Sequence, residues 1–161
     1  MTDMLVKLYG LEMPPQNPAM ASRGVSIKRA MGFDKQAICA FVAEHFTELC
    51  PQWVAECEVT LMQQPPTCFV ACHDRQVVGF CCWDASAKAM VGPIGVHPDF
   101  RKLGLATELM RHTFDAMKSD GYAYAIIGWV SSEEFYEKTC GAIAIPGSAP
   151  GVYSRLLSHQ P

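Results

Sequence analysis

The sequence predicts one α/β domain, with a mixed, mostly antiparallel sheet of about six to seven strands, a central βαβ crossover and flanking helices. Two β-rich segments, 67–72 and 77–83, are joined by a short turn, which is typical of an antiparallel hairpin. A third strand, at 89–97, leads through a glycine-containing loop into an amphipathic helix that ends near Lys118. The apolar run 122–130 then indicates a strand buried on both faces, so strand, helix and strand form a crossover.

The remaining elements follow from capping and breaker residues. Residues 1–23 contain Pro14, Pro15 and Pro18 and no sustained periodicity, which predicts a partly extended N-terminal arm that packs across the domain or stays loose. The domain itself is predicted over 24–161. Its other elements are a strand at 25–29, a helix capped by Asp34, a helix from Pro51 to about Gln63, a short helix at 132–140, and weaker strands at 142–146 and 152–156.

Composition excludes several classes of protein. Half of the 161 residues are apolar and 18% are charged, so the chain can bury a sizeable core. The 13 Lys and Arg against 16 Asp and Glu give a net charge of −3, which offers no reason to expect a nucleic-acid partner. No apolar run reaches the roughly 18 residues of a membrane span, and the first residues lack the features of a signal peptide. We therefore expect a soluble, cytoplasmic protein.

The eight cysteines are predicted to be core residues. They form no C-x-x-C pair, and most lie in apolar runs such as Cys81-Cys82. The alternative is a metal cluster of Cys68, Cys72 and His73, but their spacing is not that of a zinc site, so no metal is expected.

The loop Arg101-x-x-Gly104-x-Ala106 has the properties of an anion site. Free N–H groups at a helix start and the helix dipole attract a phosphate, and small residues let it approach. Two other interpretations are an ordinary tight connection and a Rossmann dinucleotide loop. The Rossmann interpretation fails because three strands precede the strand–loop–helix unit, two of them in a hairpin, and the full G-x-G-x-x-G is missing.

This loop resembles the R/Q-x-x-G-x-G/A motif of the GNAT superfamily of N-acetyltransferases. The preceding strand, 92–98, is also similar to that family, and the run 134–138 resembles its "fYek" helix. The order of elements agrees, so the resemblance covers about residues 24–157. It implies acetyl-coenzyme A as co-substrate, held between two splayed parallel strands. Pro93 and its neighbouring glycines are poor residues for a central strand and fit a strand that bulges there.

The resemblance also implies which residues bind the coenzyme. The backbone of the strand would pair with the pantetheine arm, and the loop amides would take the pyrophosphate. The coenzyme-binding set is Ile94, Gly95, Val96, Arg101, Lys102, Leu103, Gly104, Leu105, Ala106 and Thr107.

For catalysis, the resemblance assigns Tyr136 as the acid that protonates the coenzyme A sulfur and the N–H of Val96 as the group that polarises the thioester carbonyl. A buried structural tyrosine is the alternative for Tyr136. Two features depart from the family: Trp129 stands where many relatives have Asn, and the interval from Tyr136 to Gly141 is five residues where four is common.

The general base is less determined by the sequence. Asp84 is our candidate because it lies at a strand end near the expected acceptor cleft, although it could instead cap the following turn. Glu44, Glu48 and His45 are alternatives, and the spacing of His45 also fits a core residue.

Charge alone suggests the acceptor. From Gln36 to Asp74 there is no Lys or Arg but there are five acids, which form either an acidic rim for a cationic amine or a solvated helix face. Trp53 and Trp83 could stack on an acceptor or fill the core. We therefore predict an enzyme that transfers acetyl from acetyl-coenzyme A to a primary amine of a small molecule or peptide. The alternative is a non-catalytic acyl-coenzyme A-binding or regulatory module. The resemblance also admits a homodimer.

Overall fold

The computed structural model describes residues 1–157. It contains seven strands, five α-helices and three short 3₁₀ turns within those residues. The strands are β1 (Met4–Lys7), β2 (Ser26–Arg29), β3 (Cys68–His73), β4 (Gln76–Trp83), β5 (Met90–Val96), β6 (Tyr124–Ile127) and β7 (Ile143–Ala144). The helices are α1 (Pro18–Ser22), α2 (Lys35–Phe46), α3 (Trp53–Leu61), α4 (Leu105–Ser119) and α5 (Glu133–Cys140). No helix in this part of the chain is both long and apolar enough to cross a membrane.

The strands form one sheet in the order β2-β3-β4-β5-β6-β1-β7. Neighbouring strands are antiparallel except β5 and β6, which are parallel and are connected by α4. The predicted fold class, with its hairpin and its central crossover, is therefore confirmed. Both features are local in sequence, and this is why the pattern of apolar residues was sufficient to predict them.

The two faces of the sheet carry separate hydrophobic cores. Side chains alternate along β4, so Phe80 and Cys82 pack with α2 and α3, whereas Cys81 and Trp83 pack with α4 and β1. Helix α4 buries Met110, Phe114 and Met117 as predicted. The sheet is thus covered on both sides near its centre, and the strands there are fixed in position.

The N-terminal segment differs from the predicted arm. Strand β1 lies inside the sheet, with Met4 opposite Ile127 of β6 and opposite Ala144 of β7. The side chains of Met4 and Val6 are fully buried. A strand of four residues gives too short an alternation to be recognised in the sequence, and its partners lie more than a hundred residues away.

The C-terminal strand predicted at 152–156 is wrong. A 3₁₀ turn, Gly151–Arg155, occupies this segment, and β7 is only two residues long. The reason is topological, because β1 already pairs with the edge of β6. The C-terminal segment instead crosses toward the open ends of β5 and β6, where Tyr153 stacks on Trp129.

One charged residue of α4 is buried. Glu108 is only 7% exposed, although charged residues of an amphipathic helix usually lie on its solvent face. Its carboxylate pairs with Arg111 at 2.9 Å, which compensates for the loss of water around the charge.

The cysteines are largely core residues, as predicted. Five of the eight are buried and three are half-buried, and all are free thiols: Cys57, Cys68, Cys81, Cys82 and Cys140 are buried, and Cys39, Cys50 and Cys72 are half-buried. Among the described residues, no group of His, Cys, Asp and Glu could hold a metal ion.

Candidate functional site

A cavity opens where β5 and β6 separate. In the described part of the chain these strands pair at two positions only, Met90 with Ile126 and Val91 with Ile127. Beyond them lies a cavity of about 670 Å³, hereafter the central cavity, a size typical of small-molecule sites. Its floor is β5, its far wall is the segment after β6, and its other walls come from α2, α3, α5 and the 3₁₀ turn at 151–155.

The free edge of β5 presents backbone donors to this cavity. The N–H of His97 donates to the carbonyl of Val78 in β4 at 2.9 Å. Because N–H directions alternate along a strand, the N–H groups of Val96 and Ile94 face the opposite side, toward the gap. The register of β4 against β5 shifts between Cys81 and Trp83. This irregularity lies opposite the glycine and proline residues of β5, as the sequence predicted for a bulged strand.

Close packing of aromatic rings against β5 requires a glycine at position 95. A Cβ at this position would lie 2.7 Å from ring atoms of both Phe46 and Phe80. The absence of a side chain lets α2 approach β5, and this approach brings Phe46 to the wall of the central cavity.

The predicted anion loop adjoins the central cavity. Gly104, with φ +76°, precedes the first residue of α4, so the N–H groups of Leu105, Ala106 and Thr107 begin a helix of 15 residues. They border a smaller space of about 170 Å³. Arg101 and Ala106 line both spaces, and Arg101 is exposed. Free helix amides and a cation at one end of a cleft fit a phosphate-bearing ligand.

The N-terminal segment packs against this loop. No pattern in the sequence predicted that contact. The Cβ of Asn17 lies 3.1 Å from the position that a Cβ of Gly104 would take. Asn17 also caps α1, since its Oδ1 accepts from the N–H of Ala19 at 3.0 Å. The Arg111 guanidinium of α4 donates to the Pro14 carbonyl. These contacts hold residues 14–22 against the start of α4.

Tyr136 of α5 lines the central cavity. Burial is the main cause that raises the pKa of Tyr136 to about 12, with smaller contributions from the nearby Cys81 and Cys140. Within residues 1–157 its hydroxyl has no hydrogen-bond partner, although its carbonyl accepts from the Cys140 thiol at 3.2 Å. Tyr136 thus adds to the cavity lining a protonated hydroxyl that has no protein partner among the described residues.

Asp84, the predicted base, is placed elsewhere. It does not line the central cavity, and its side chain is 7% exposed. Its carboxylate accepts from the Ala89 N–H at 2.8 Å, from Lys88 at 2.9 Å and from the Tyr122 hydroxyl at 2.5 Å. The structure thus gives Asp84 the turn-capping role that was the alternative, and it does not bring Asp84 together with Val96 and Tyr136.

The alternative bases also lie outside the central cavity. His45 packs its ring 4.8 Å from that of Phe41 and 4.7 Å from that of His97. Glu44 is exposed on the same helix, and Glu48 is exposed in the turn that follows it. Of the two tryptophans considered for the acceptor, Trp53 lines the cavity, whereas Trp83 is fully buried in the core.

Three residues of the cavity were not identified as site residues from the sequence. Glu56 of α3 was only one of five acids in the base-free stretch, the segment 36–74 that lacks Lys and Arg. Tyr153 was predicted to lie in a strand, and Trp129 was noted only as a departure from the family pattern. Trp129 has φ +51°, and its N–H donates to the Asp3 carboxylate at 3.0 Å. Its ring stacks on Tyr153 with centroids 4.6 Å apart. The base-free stretch was a usable signal for Glu56, but no local pattern predicted the other two.

A splayed pair of parallel strands beside a helix-start anion loop defines an α/β domain built to hold an extended, phosphate-bearing acyl carrier. The sequence matches the model of the acetyltransferase (GNAT) family over residues 35–142. The chain therefore belongs to the GNAT family, whose members are acetyltransferases and whose fold binds acetyl-coenzyme A.

Solved structures agree on the fold. A GCN5-related glucosamine N-acetyltransferase region of a fungal multi-domain GH3 β-N-acetylglucosaminidase superposes with TM-score 0.72 at 14% identity, over 89% of this chain and 19% of that one. A GCN5-related N-acetyltransferase from Sphaerobacter thermophilus gives 0.67 at 18%, over 89% and 48%. A GNAT family acetyltransferase from Brucella melitensis, in complex with acetyl-CoA, gives 0.60 at 16%, over 76% and 89%. The chain thus spans less than half of the first two proteins. A comparison with curated proteins finds no match.

Proposed function

We propose that this domain transfers an acetyl group from acetyl-coenzyme A directly to a primary amine of a small molecule or peptide, with Tyr136 as the general acid. One observation carries the proposal. Tyr136, whose hydroxyl is kept protonated by burial, lines the same cavity as the free edge of β5 with its N–H groups.

The residues present fit the coenzyme. The free edge of β5 offers the N–H groups of Ile94 and Val96 to an extended chain, as an added strand would use them. The loop and the start of α4, from Leu103 to Thr107, would hold the pyrophosphate, with Arg101 and Lys102 supplying positive charge. Gly95 lets α2 pack closely against β5, and Gly104 lets Asn17 pack closely against the loop. The predicted coenzyme residues line the central cavity or the smaller space beside it, except Leu103, which lines neither.

Bound acetyl-coenzyme A supplies an activated thioester. A neutral amine nitrogen attacks the thioester carbonyl carbon, so a C–N bond forms and the C–S bond breaks. The Val96 N–H stabilises the negative charge that develops on the carbonyl oxygen. Tyr136 gives its proton to the departing sulfur and recovers one from solvent. The amine loses one proton, so the products are an amide and a free thiol.

The second candidate is a non-catalytic acyl-coenzyme A-binding module. Two observations favour it: β5 carries no carboxylate, and Trp129 replaces the Asn of many relatives. In that case the domain would bind acetyl-coenzyme A but would release no thiol in the presence of amines.

Thiol release with a panel of primary amines distinguishes the two candidates. We expect Tyr136→Phe to lower kcat about a hundredfold, because proton transfer to the sulfur is lost. We also expect unchanged stability, because the hydroxyl has no protein partner to lose. Tyr124→Phe is the matched control, since Tyr124 is 45% exposed and its hydroxyl contacts only Tyr9 among the described residues. Undiminished turnover of Tyr136→Phe would remove the acid role from this residue.

A further inference from the structure

The part of the central cavity opposite β5 is mainly aromatic. Four separate elements contribute rings to it: α2 contributes Phe46, α3 contributes Trp53, the segment after β6 contributes Trp129, and the 3₁₀ turn contributes Tyr153. The rings pack on one another, with Phe46 and Trp53 5.4 Å apart and Trp129 and Tyr153 4.6 Å apart. Flat apolar walls of this kind bury an apolar or aromatic ligand at low entropic cost.

One acidic residue, Glu56, borders this aromatic half, between the central cavity and a second groove that Ser86 also lines. Among the described lining residues of the central cavity, Glu56 is the only acid. It lies in the first turn of α3 and is half-buried. Its carboxylate accepts from the Ser86 hydroxyl of the turn between β4 and β5, so the side chain is held in place by the sheet.

The other acids of the base-free stretch do not share this position. The side chains of Glu44, Glu58 and Asp74 are 75%, 49% and 86% exposed, and Glu58 pairs with Lys35. They form the solvated face that was the alternative to an acidic rim. The one cationic side chain that lines the central cavity within residues 1–157, Arg101, lies at its loop end, beside the start of α4. The aromatic half therefore has a carboxylate for a positive charge and no cationic side chain for a negative charge.

We propose that the acceptor is an apolar or aromatic primary monoamine, whose ammonium group binds Glu56 and gives its proton to that carboxylate before attack. This inference rests on the proposed function. Glu56 takes one proton from R–NH₃⁺ and releases it to solvent. The neutral R–NH₂ then forms the C–N bond while the C–S bond breaks, and a second proton leaves the nitrogen as the amide forms.

The surroundings of Glu56 suit this role. Burial raises the pKa of the Glu56 carboxyl, against the hydrogen bond from Ser86, so the carboxylate is a stronger base than a solvated one. The titratable groups that face it are the thiols of Cys50, Cys57 and Cys82 and the hydroxyl of Tyr153.

One cation lies on the outer side of Glu56. Arg155 lines a separate groove there, but within residues 1–157 it makes no ion pair with Glu56 within 4.0 Å. An ammonium group in the central cavity therefore competes with no described cation at the carboxylate, which keeps its hydrogen bond from Ser86.

The same walls exclude other amines. The carboxylate of an amino acid would find no cationic side chain in the aromatic half, and the hydroxyls of an amino sugar would lose water against Trp129 and Tyr153. The order of preference therefore tests the proposal directly.

The test measures thiol release by the full chain with 2-phenylethylamine, phenylalanine and glucosamine. Phenylalanine differs from 2-phenylethylamine only by its carboxylate. We expect kcat/KM for 2-phenylethylamine to exceed both others by at least about tenfold. Equal or better use of phenylalanine or glucosamine would overturn the assigned substrate class and leave the proposed function standing.

Two glutamine variants test the carboxylate. We expect Glu56→Gln to lower kcat/KM for 2-phenylethylamine about a hundredfold while the Kd for acetyl-coenzyme A is unchanged. Below the pKa of the amine, kcat/KM of this variant should fall about tenfold per pH unit, because only free amine from solution then reacts, whereas kcat/KM of the wild type should stay level until Glu56 itself becomes protonated. Glu58→Gln, an exposed residue of the same helix, is the control and should behave as wild type. A Glu56→Gln variant with wild-type kcat/KM would overturn the role of Glu56. If acetyl-coenzyme A binds and no amine releases thiol, the proposed function and this inference both fail.

Discussion

Tyr136 and Asp84 illustrate what residue-level reasoning from the sequence could predict. Tyr136 lies in a short recognisable motif on a helix, so its cavity position followed from a local pattern. Asp84 was chosen for its place at a strand end, but its contacts with Ala89 and Tyr122 are made across a turn and to a residue 38 positions away. No local sequence pattern indicates such partners. Nor could a local pattern indicate the hydrogen bond between Ser86 and Glu56, which lie 30 residues apart.

Burial of Tyr136 predicts a specific pH dependence of stability. The hydroxyl is neutral in both folded and unfolded chains below its ordinary pKa of 10.0, and the folded state resists ionisation up to about 12. Stability is therefore complete below pH 10 and is lost as the pH rises toward 12, by about 2–3 kcal/mol.

Urea unfolding of wild type and Tyr136→Phe at pH 8, 10 and 11.5 measures this effect. We expect the wild type to lose more stability than the variant over this range. Parallel losses in the two proteins would show that the Tyr136 hydroxyl is solvated.

At the scale of elements, the sequence predicted the strands and helices that pack against elements close to them in the chain. The β3–β4 hairpin and the β5–α4–β6 crossover follow from apolar periodicity and from turns. Strand β1 was missed because it is four residues long and pairs with β6, whose sequence is distant. The error at 152–156 has the same origin, since the position beside β6 is already filled.

The place of β1 in the sheet predicts two very different effects for neighbouring substitutions. Val6 is fully buried between β6 and β7, whereas Lys7 is exposed on the same strand. Val6→Asp places an unpaired charge in the core and should cost at least about 3 kcal/mol, which is enough to lower Tm by more than about 5 °C. Lys7→Asp should change the free energy of unfolding by less than about 0.5 kcal/mol.

Thermal denaturation followed by circular dichroism compares the two variants. Similar, small shifts in Tm would contradict a β1 that is part of the sheet and would support a loose arm.

At the scale of the whole molecule, the cysteines report on burial across both cores. Five are buried, and burial is the first cause that raises the pKa of the half-buried Cys39, Cys50 and Cys72 as well. Only Cys50 among the described cysteines lines the central cavity. The reactivity of the buried thiols therefore measures whether the fold is intact, and the reactivity of Cys50 measures whether the central cavity is occupied.

We expect an aromatic disulfide reagent at pH 7.5 to modify at most three thiols of the folded protein rapidly, all more slowly than a free cysteine. Acetyl-coenzyme A should slow one of them. Mass spectrometry of the labelled peptides should identify it as Cys50, with Cys39 and Cys72 as internal controls. Rapid modification of all eight thiols, or protection of Cys39 in place of Cys50, would contradict the described packing.

The central claim is that the gap between β5 and β6, together with the start of α4, holds acetyl-coenzyme A. Isothermal titration calorimetry of the protein with acetyl-coenzyme A tests it most directly. We expect saturable binding with a stoichiometry of about one per chain, because the central cavity and the smaller space share Arg101 and Ala106 and so form one site. We also expect weaker binding at higher salt, because positive charge at Arg101 and Lys102 faces phosphate. The absence of saturable heat at millimolar acetyl-coenzyme A would contradict the claim.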